Sequence, residues 1–218
     1  MSRKSSFKDK KNSFKSKEKF ENYRRDKSRR WFLIVCEGEK TEPNYFRSFP
    51  VNKNLIRLDI KGEGKNTKSL VEKAIELKNS TEYDETDRFW CVFDRDKNPK
   101  NPNDSQNFNS AITIARNNGI DVAYSNDAFE LWYLLHFHFY NTGTSRKDYP
   151  DKLTELLGHK YQKNSETIYE ELKDKQQDAI KHAKLLLQKY DRPNPETENP
   201  STTVHLLVEE LNSFIPNF

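Results

Sequence analysis

Four short apolar runs alternate with stretches whose apolar residues recur at helical spacing, and this alternation limits what the chain can fold into. The runs are RWFLIVCEG (30–38), NLIRLDI (54–60), RFWCVFDRD (88–96) and IDVAYSN (120–126). The first and third are apolar at nearly every position, as expected of strands covered on both faces of a parallel sheet. Between them, TKSLVEKAIELKN (67–79) places Leu70, Val71, Ala74, Ile75 and Leu77 on one helical face, with Asn66 or Thr67 available as its cap. SQNFNSAITIARNNG (105–119) reads as a helix closed by Gly119, and EPNYFRSF (42–49) as a short one behind Thr41 with Pro43 in its first turn. Strands alternating with helices predict an α/β fold: an open, mainly parallel central sheet with helices on both faces.

After the fourth run the pattern changes. DAFELWYLLHFHFY (127–140) is apolar almost all round, which predicts a buried helix. From about residue 150 no strand is expected; 151–160, 165–190 and 201–214 read as helices, with the Pro-rich stretch 191–200 as a joint. The organisation that follows is a basic arm over 1–30, an α/β core over 31–145 and a helical C-terminal region over 146–218 packing on that core.

Only 33% of the 218 residues are hydrophobic, yet 14 Phe, 10 Tyr and 3 Trp argue for an aromatic core rather than disorder. Residues 1–30 hold 13 Lys and Arg against 4 Asp and Glu, while the whole chain carries only +4. A strongly basic arm on an acidic body is suited to nucleic acid, although a solubilising terminus would have the same composition. No apolar run approaches the roughly 18 residues of a membrane span, and no hydrophobic signal segment follows the N-terminal lysines. The expected location is cytoplasmic. Cys36 and Cys91 sit inside apolar runs without metal-site spacing and read as buried thiols.

Acids gather at predicted strand ends. Glu37 closes the first strand, and Asp94 and Asp96 close the third, two residues apart and so on the same side of an extended segment. Chemistry in such sheets collects at the carboxyl ends of the strands. If strands one and three are neighbours, the three carboxylates meet, and they repel one another unless a cation is present. Mg2+ (or Mn2+) suits such a cluster, because it takes one or two carboxylates and completes its shell with water and substrate phosphate. Lys40, Arg95 or Lys97 could then supply positive charge to a phosphoryl transition state. Either acidic motif alone would read as surface charge; their occurrence at the ends of two buried strands favours the metal reading.

FLIVCEGEKTE followed by FWCVFDRDKN resembles the Toprim pattern of topoisomerases, primases and nucleases of the overcoming-lysogenisation-defect type. More narrowly, EGEKTEPNYF, FDRDKN, SNDAFELWYLLHF and NPSTTVHLLVEEL, in that order, resemble the RloB-like family over roughly residues 31–215. The resemblance implies a Rossmann-like Toprim fold and a Mg2+-dependent nuclease-type site, with Glu37 as general acid/base or ligand and Asp94 and Asp96 as metal ligands. It also implies an anti-phage role beside a separate ATPase of the AAA or ABC-like class. In the lysogenisation-defect nucleases a second acid usually follows the first glutamate by four positions. Here that position is Thr41, so Glu42 is taken as the second metal acid, with Glu39 as the alternative.

Weaker signals complete the site. Glu130 interrupts a very apolar helix that starts just beyond the fourth strand, so it is a candidate for the same edge, together with Asn126 and Asp127; helix capping is the competing explanation. Ser201, Thr202 and Thr203 crowd a predicted helix N-terminus ahead of His205, which suits a phosphate as well as an ordinary cap. GEGKNT (62–67) lacks the spacing of a nucleotide-binding loop and is expected only to cap the next helix. His136 and His138, two apart on a helix, are not expected to share a metal. The expected function is a metal-dependent nuclease acting on DNA or RNA with catalytic Glu37, Asp94, Asp96, Lys97 and Glu130. The alternative is a module that binds nucleic acid without cutting it.

Overall fold

The computed structural model describes residues 29–80, 82–95, 104–143, 145–191 and 194–216, with the backbone alone for 104–106. Its strands are β1 (Arg30–Cys36), β2 (Ile56–Gly62), β3 (Arg88–Asp94), β4 (Asp121–Asn126) and β5 (Ser201–Thr202). They form one sheet in the order β2-β1-β3-β4-β5, in which every pairing is parallel except the last, β4 with β5. The fold is therefore mixed α/β with a mainly parallel, Rossmann-like sheet. The chain moves outward from β1 in both directions, to β2 on one side and to β3 on the other. Ligand crevices in such sheets form where the strand order reverses, here at the carboxyl ends of β1 and β3.

The period-2 alternation of each strand divides the interior in two. Phe32, Ile34, Cys36, Trp90 and Val92 face one side, and Trp31, Leu33, Val35, Phe89, Cys91 and Phe93 the other. The second side is covered by α2 (Thr67–Asn79) and α3 (Asp104–Asn117). The first is covered by α1 (Thr41–Arg47), α4 (Glu130–Leu134), α5 (Tyr149–Leu157), α6 (Ile168–Leu172), α7 (Gln176–Leu187) and α8 (Val204–Asn212). Both cysteines are buried free thiols. Asn66 caps α2 by accepting from Ser69 N at 3.1 Å, and Gly119 adopts φ +64° just after α3. Among the described residues no helix is long and apolar enough to cross a membrane.

Three expectations beyond β4 are corrected. The apolar stretch 127–140 gives only the five-residue α4 followed by turns, because its side chains are buried from several directions and need no long helix. The predicted helix over 165–190 is broken into α6, a 3-10 turn at Lys173–Lys175 and α7. That polar turn buries nothing, so no core contact holds a continuous axis through it. Finally, Ser201 and Thr202 begin no helix: they pair antiparallel with β4, and α8 starts only at Val204.

Candidate functional site

At the carboxyl ends of β1 and β3 lies a cavity of about 330 Å3 lined by Glu37, Glu42, Asp94 and Glu130 together with Lys65, Arg146 and Lys163. Each acid comes from a different element. Glu37 directly follows β1 and continues its pairing, donating N–H to Val92 O at 2.9 Å. Asp94 ends β3 and donates its backbone N–H to Glu37 Oε2 at 3.1 Å, which ties the two strand ends together. Thr67, opening α2, donates its hydroxyl to Glu37 Oε1 at 3.4 Å. Glu42 lies in the first turn of α1 and is 4% exposed; Glu130 opens α4 and is 3% exposed.

The local sequence makes this approach possible. A Cβ on Gly38 would run into the Glu42 carboxylate, so the Glu-Gly pair after β1 is what lets α1 fold its acid back onto the strand end. Gly38→Ala is therefore expected to push the flexible end of the Glu42 side chain aside and, because Glu42 adds to the rise of the Glu37 carboxyl, to lower the pH at which Glu37 titrates, read by nuclear magnetic resonance. Glu39, by contrast, is exposed and lies over Gly64. Of the two candidates for second acid, Glu42 is the one that lines the cavity.

Burial pushes the Glu37 carboxyl up to about 7. The Glu42 carboxylate adds to the rise, while the Asp94 N–H, the Thr67 hydroxyl and the Arg146 charge oppose it. Burial also drives Asp94 well above the usual carboxylate range, with Glu42, Glu130 and Glu37 adding to the shift. Glu42 rises for the same first reason, reinforced by Glu130 and opposed by the N–H groups of Gly38 and of Glu42 itself. Glu130 is held differently: Lys163 Nζ stands 3.1 Å from its Oε1 and the Tyr161 hydroxyl donates to the same oxygen at 3.4 Å. The loop carrying Lys163 is latched to α1, with Thr41 Oγ1 donating to Lys163 O at 2.9 Å and Asn44 Nδ2 to Asn164 O at 3.0 Å.

Among the described residues no three His, Cys, Asp or Glu side chains are set to close around a metal ion, and Asp96 and Lys97 lie outside those residues. The donors present fit a hard cation that takes one or two protein carboxylates and keeps its own water. Asp94 Oδ1 is buried without a hydrogen-bond partner, and a buried charged oxygen left in that state is costly unless a cation meets it. Asp94 with Glu37 or Glu42 would hold such an ion.

Other predicted contributors lie elsewhere. Lys40 is exposed and does not line the cavity. Arg95 is 4% exposed, 3.9 Å from Glu196 and over the Phe108 ring, so it is corrected from a substrate contact to a buried one. Ser201, Thr202 and His205 are also buried. Thr202 Oγ1 donates to Tyr124 O at 2.9 Å and Ser201 Oγ to Glu198 O at 2.6 Å, so the expected phosphate site is corrected to a sheet-closing contact. Burial holds His205 down at about 4. Asn126 donates to Pro195 O and Glu196 O, and Asp127 Oδ2 accepts from Arg146 N at 3.4 Å; neither lines the cavity. His136 is buried and His138 exposed, so the two do not meet.

Three cationic residues escaped the sequence reading. Lys65 lies in the loop expected only to cap α2, which does cap it but also brings Gly64 and Lys65 to the cavity. Arg146 and Lys163 come from loops flanking α5, where nothing in the spacing marks them.

Neither the comparison with curated proteins nor that with solved structures gives a match. The model of the family described as RloB-like protein matches residues 32–211, from β1 through nearly all of α8. That span contains every residue lining the cavity, and the chain belongs to the RloB-like family.

Proposed function

We propose that the chain is a Mg2+-dependent (or Mn2+-dependent) nuclease of Toprim type that cleaves phosphodiester bonds in DNA or RNA. The observation that carries this reading is the meeting of four acids from four elements, one with a buried unpartnered oxygen, with three cationic side chains in one cavity at the switch point of the sheet. A divalent cation held by Asp94 with Glu37 or Glu42 would supply Lewis acidity toward a phosphoryl oxygen and a water. The chain's own groups do the rest. Where Asp94 and Glu42 hold the cation, Glu37, whose carboxyl is pushed up to about 7 in the cation-free protein, is the group placed to take or give a proton. Lys65, Arg146 and Lys163 line the same cavity and would meet phosphate charge developing there. Glu130 orients Lys163 and is itself held by Tyr161.

The proposed context is that of a cytoplasmic effector in a bacterial anti-phage system, assembled with or restrained by a separate AAA or ABC-like ATPase. The family resemblance supports this role.

The test incubates the protein, with and without a co-encoded ATPase, with total RNA and plasmid DNA in Mg2+ or Mn2+. Wild-type protein is expected to cleave, and Asp94→Asn to lose about 100-fold or more of that rate with its circular dichroism unchanged. Undiminished cleavage by Asp94→Asn overturns the site. Cation-dependent binding without product in every arm would instead identify a non-cleaving nucleic-acid module.

A further inference from the structure

β2 is an outer strand of the sheet, and a second cavity, of about 310 Å3, sits against its edge. Four cationic residues line it, Arg29, Arg47, Lys53 and Arg57, around an apolar floor that includes Leu58 and Ile60. Both floor residues are half-buried, packed on the core below and accessible above. Among the described residues no carboxylate lines this cavity. The neighbouring Asp59 pairs with Arg57 at 3.5 Å and Lys61 at 3.1 Å, so Arg57 brings only part of its charge to the groove. Arg47 donates Nη2–H to Ile60 O at 3.3 Å, a contact that positions the guanidinium without cancelling its charge.

Cations around an accessible apolar floor match a polyanion that also presents flat apolar faces. Single-stranded nucleic acid has both, whereas a duplex hides its base faces; guanidinium planes and apolar side chains receive bases while cations track the phosphates. An acidic peptide would match the charge but has less use for the floor. One helix links the groove to the acidic cavity. α1 carries Glu42 in the acidic cavity and Arg47 in the groove, five residues or roughly 7.5 Å of helix rise apart.

We infer that the β2-edge groove binds a single-stranded segment of the nucleic acid flanking the bond presented to the acidic cavity. This inference rests on the nuclease reading for the identity of the strand, but binding and cleavage are measured separately.

The experiment measures fluorescence anisotropy of labelled 12-nucleotide U and dT oligomers with the full chain in EDTA, and hydrolysis of bis(p-nitrophenyl) phosphate in Mn2+. The variants are Arg47→Glu with Lys53→Glu, and Glu37→Gln. The groove variant is expected to bind the oligomers about 10- to 30-fold more weakly at 100 mM salt, with the slope of log K against log salt shallower by about 1.4, the loss of two phosphate contacts. Its hydrolysis of the small diester should be unchanged. Glu37→Gln should bind normally and hydrolyse neither substrate. Unaltered oligomer binding by the groove variant overturns the inference, as does tighter binding of a polyglutamate peptide than of either oligomer. If wild-type protein binds oligomers through the groove but hydrolyses nothing, the groove stands and the nuclease reading falls. Arg47→Gln with Lys53→Gln serves the same comparison if charge reversal lowers the melting temperature.

Discussion

Glu37→Gln is expected to stabilise the cation-free protein at pH 8 by about 2–3 kcal/mol, or roughly 5–10 °C for a chain of this size, and to abolish cleavage. The cause is the raised Glu37 carboxyl. From an ordinary value of 4.5 it reaches about 7 in the folded chain, so between those values the folded state holds a proton that the unfolded state has released. Stability must then fall as pH rises through that window and level off above it. Asp94 and Glu42 shift in the same direction, so ionising the cavity adds repulsion to desolvation. The groups facing Glu37 that could offset this are Arg146, Lys163 and Lys65; Lys163 already stands on Glu130 and its side chain is 59% exposed. Added Mg2+ or Mn2+ should reverse the loss, raising the melting temperature of wild-type protein at pH 8 but less at pH 5.5, where the Glu37 carboxyl is protonated. The variant should show a shallower pH slope and a weaker cation response, since Asp94 and Glu42 still shift in the same direction. A wild-type melting temperature that rises between pH 5.5 and pH 8 without cation would contradict the account.

The part of this site that was legible in the sequence is the part fixed by period. Glu37 and Asp94 end strands whose apolar runs are continuous, and any parallel arrangement with β1 beside β3 brings them together. Glu42 was legible only through the family resemblance, which left Glu39 open; the structure decides, because α1 folds its first turn back over the strand end against Gly38. Glu130 was visible as a carboxylate in an apolar stretch, a placement that costs free energy unless it is answered. Its partners were not visible. Tyr161 and Lys163 lie some thirty residues further on, in a loop whose position depends on the latch to Thr41 and Asn44, and no spacing rule encodes such a long-range contact.

The same distinction explains the misreading of 201–205. A cluster of Ser and Thr ahead of an apolar helix has the composition of a cap, and capping hydroxyls can also hold phosphate. In the fold those hydroxyls are used inward. Thr203 Oγ1 accepts from Tyr124 N at 2.9 Å and donates to Val122 O at 3.2 Å, and Thr202 Oγ1 lies 3.0 Å from Ser125 Oγ. A two-residue strand has no period to read, so only the tertiary pairing with β4 reveals it.

That pairing makes residues 201–211 a part of the core rather than an appendage, and a chain ending at residue 198 is expected not to fold. Val204, Leu207, Val208 and Leu211 are each 0% exposed, in the cluster that covers one face of the sheet. At about 1.5–3 kcal/mol for each buried aliphatic side chain, their removal forfeits roughly 6–12 kcal/mol, which is comparable with the entire net stability of an ordinary domain, about 5–15 kcal/mol. Polar groups would also be stranded. Glu210 in α8 accepts from Arg88 Nε at 3.0 Å and from Trp90 Nε1 at 2.8 Å, so its loss leaves an indole N–H of β3 without its partner. The truncated chain should show no cooperative thermal transition and no near-ultraviolet circular dichroism. The single substitution Leu207→Ala should retain the transition but lower stability by about 2–5 kcal/mol. A truncated chain that melts cooperatively would show that the α/β core over 31–145 and the helices before residue 199 close their own interior, and that α8 only caps it.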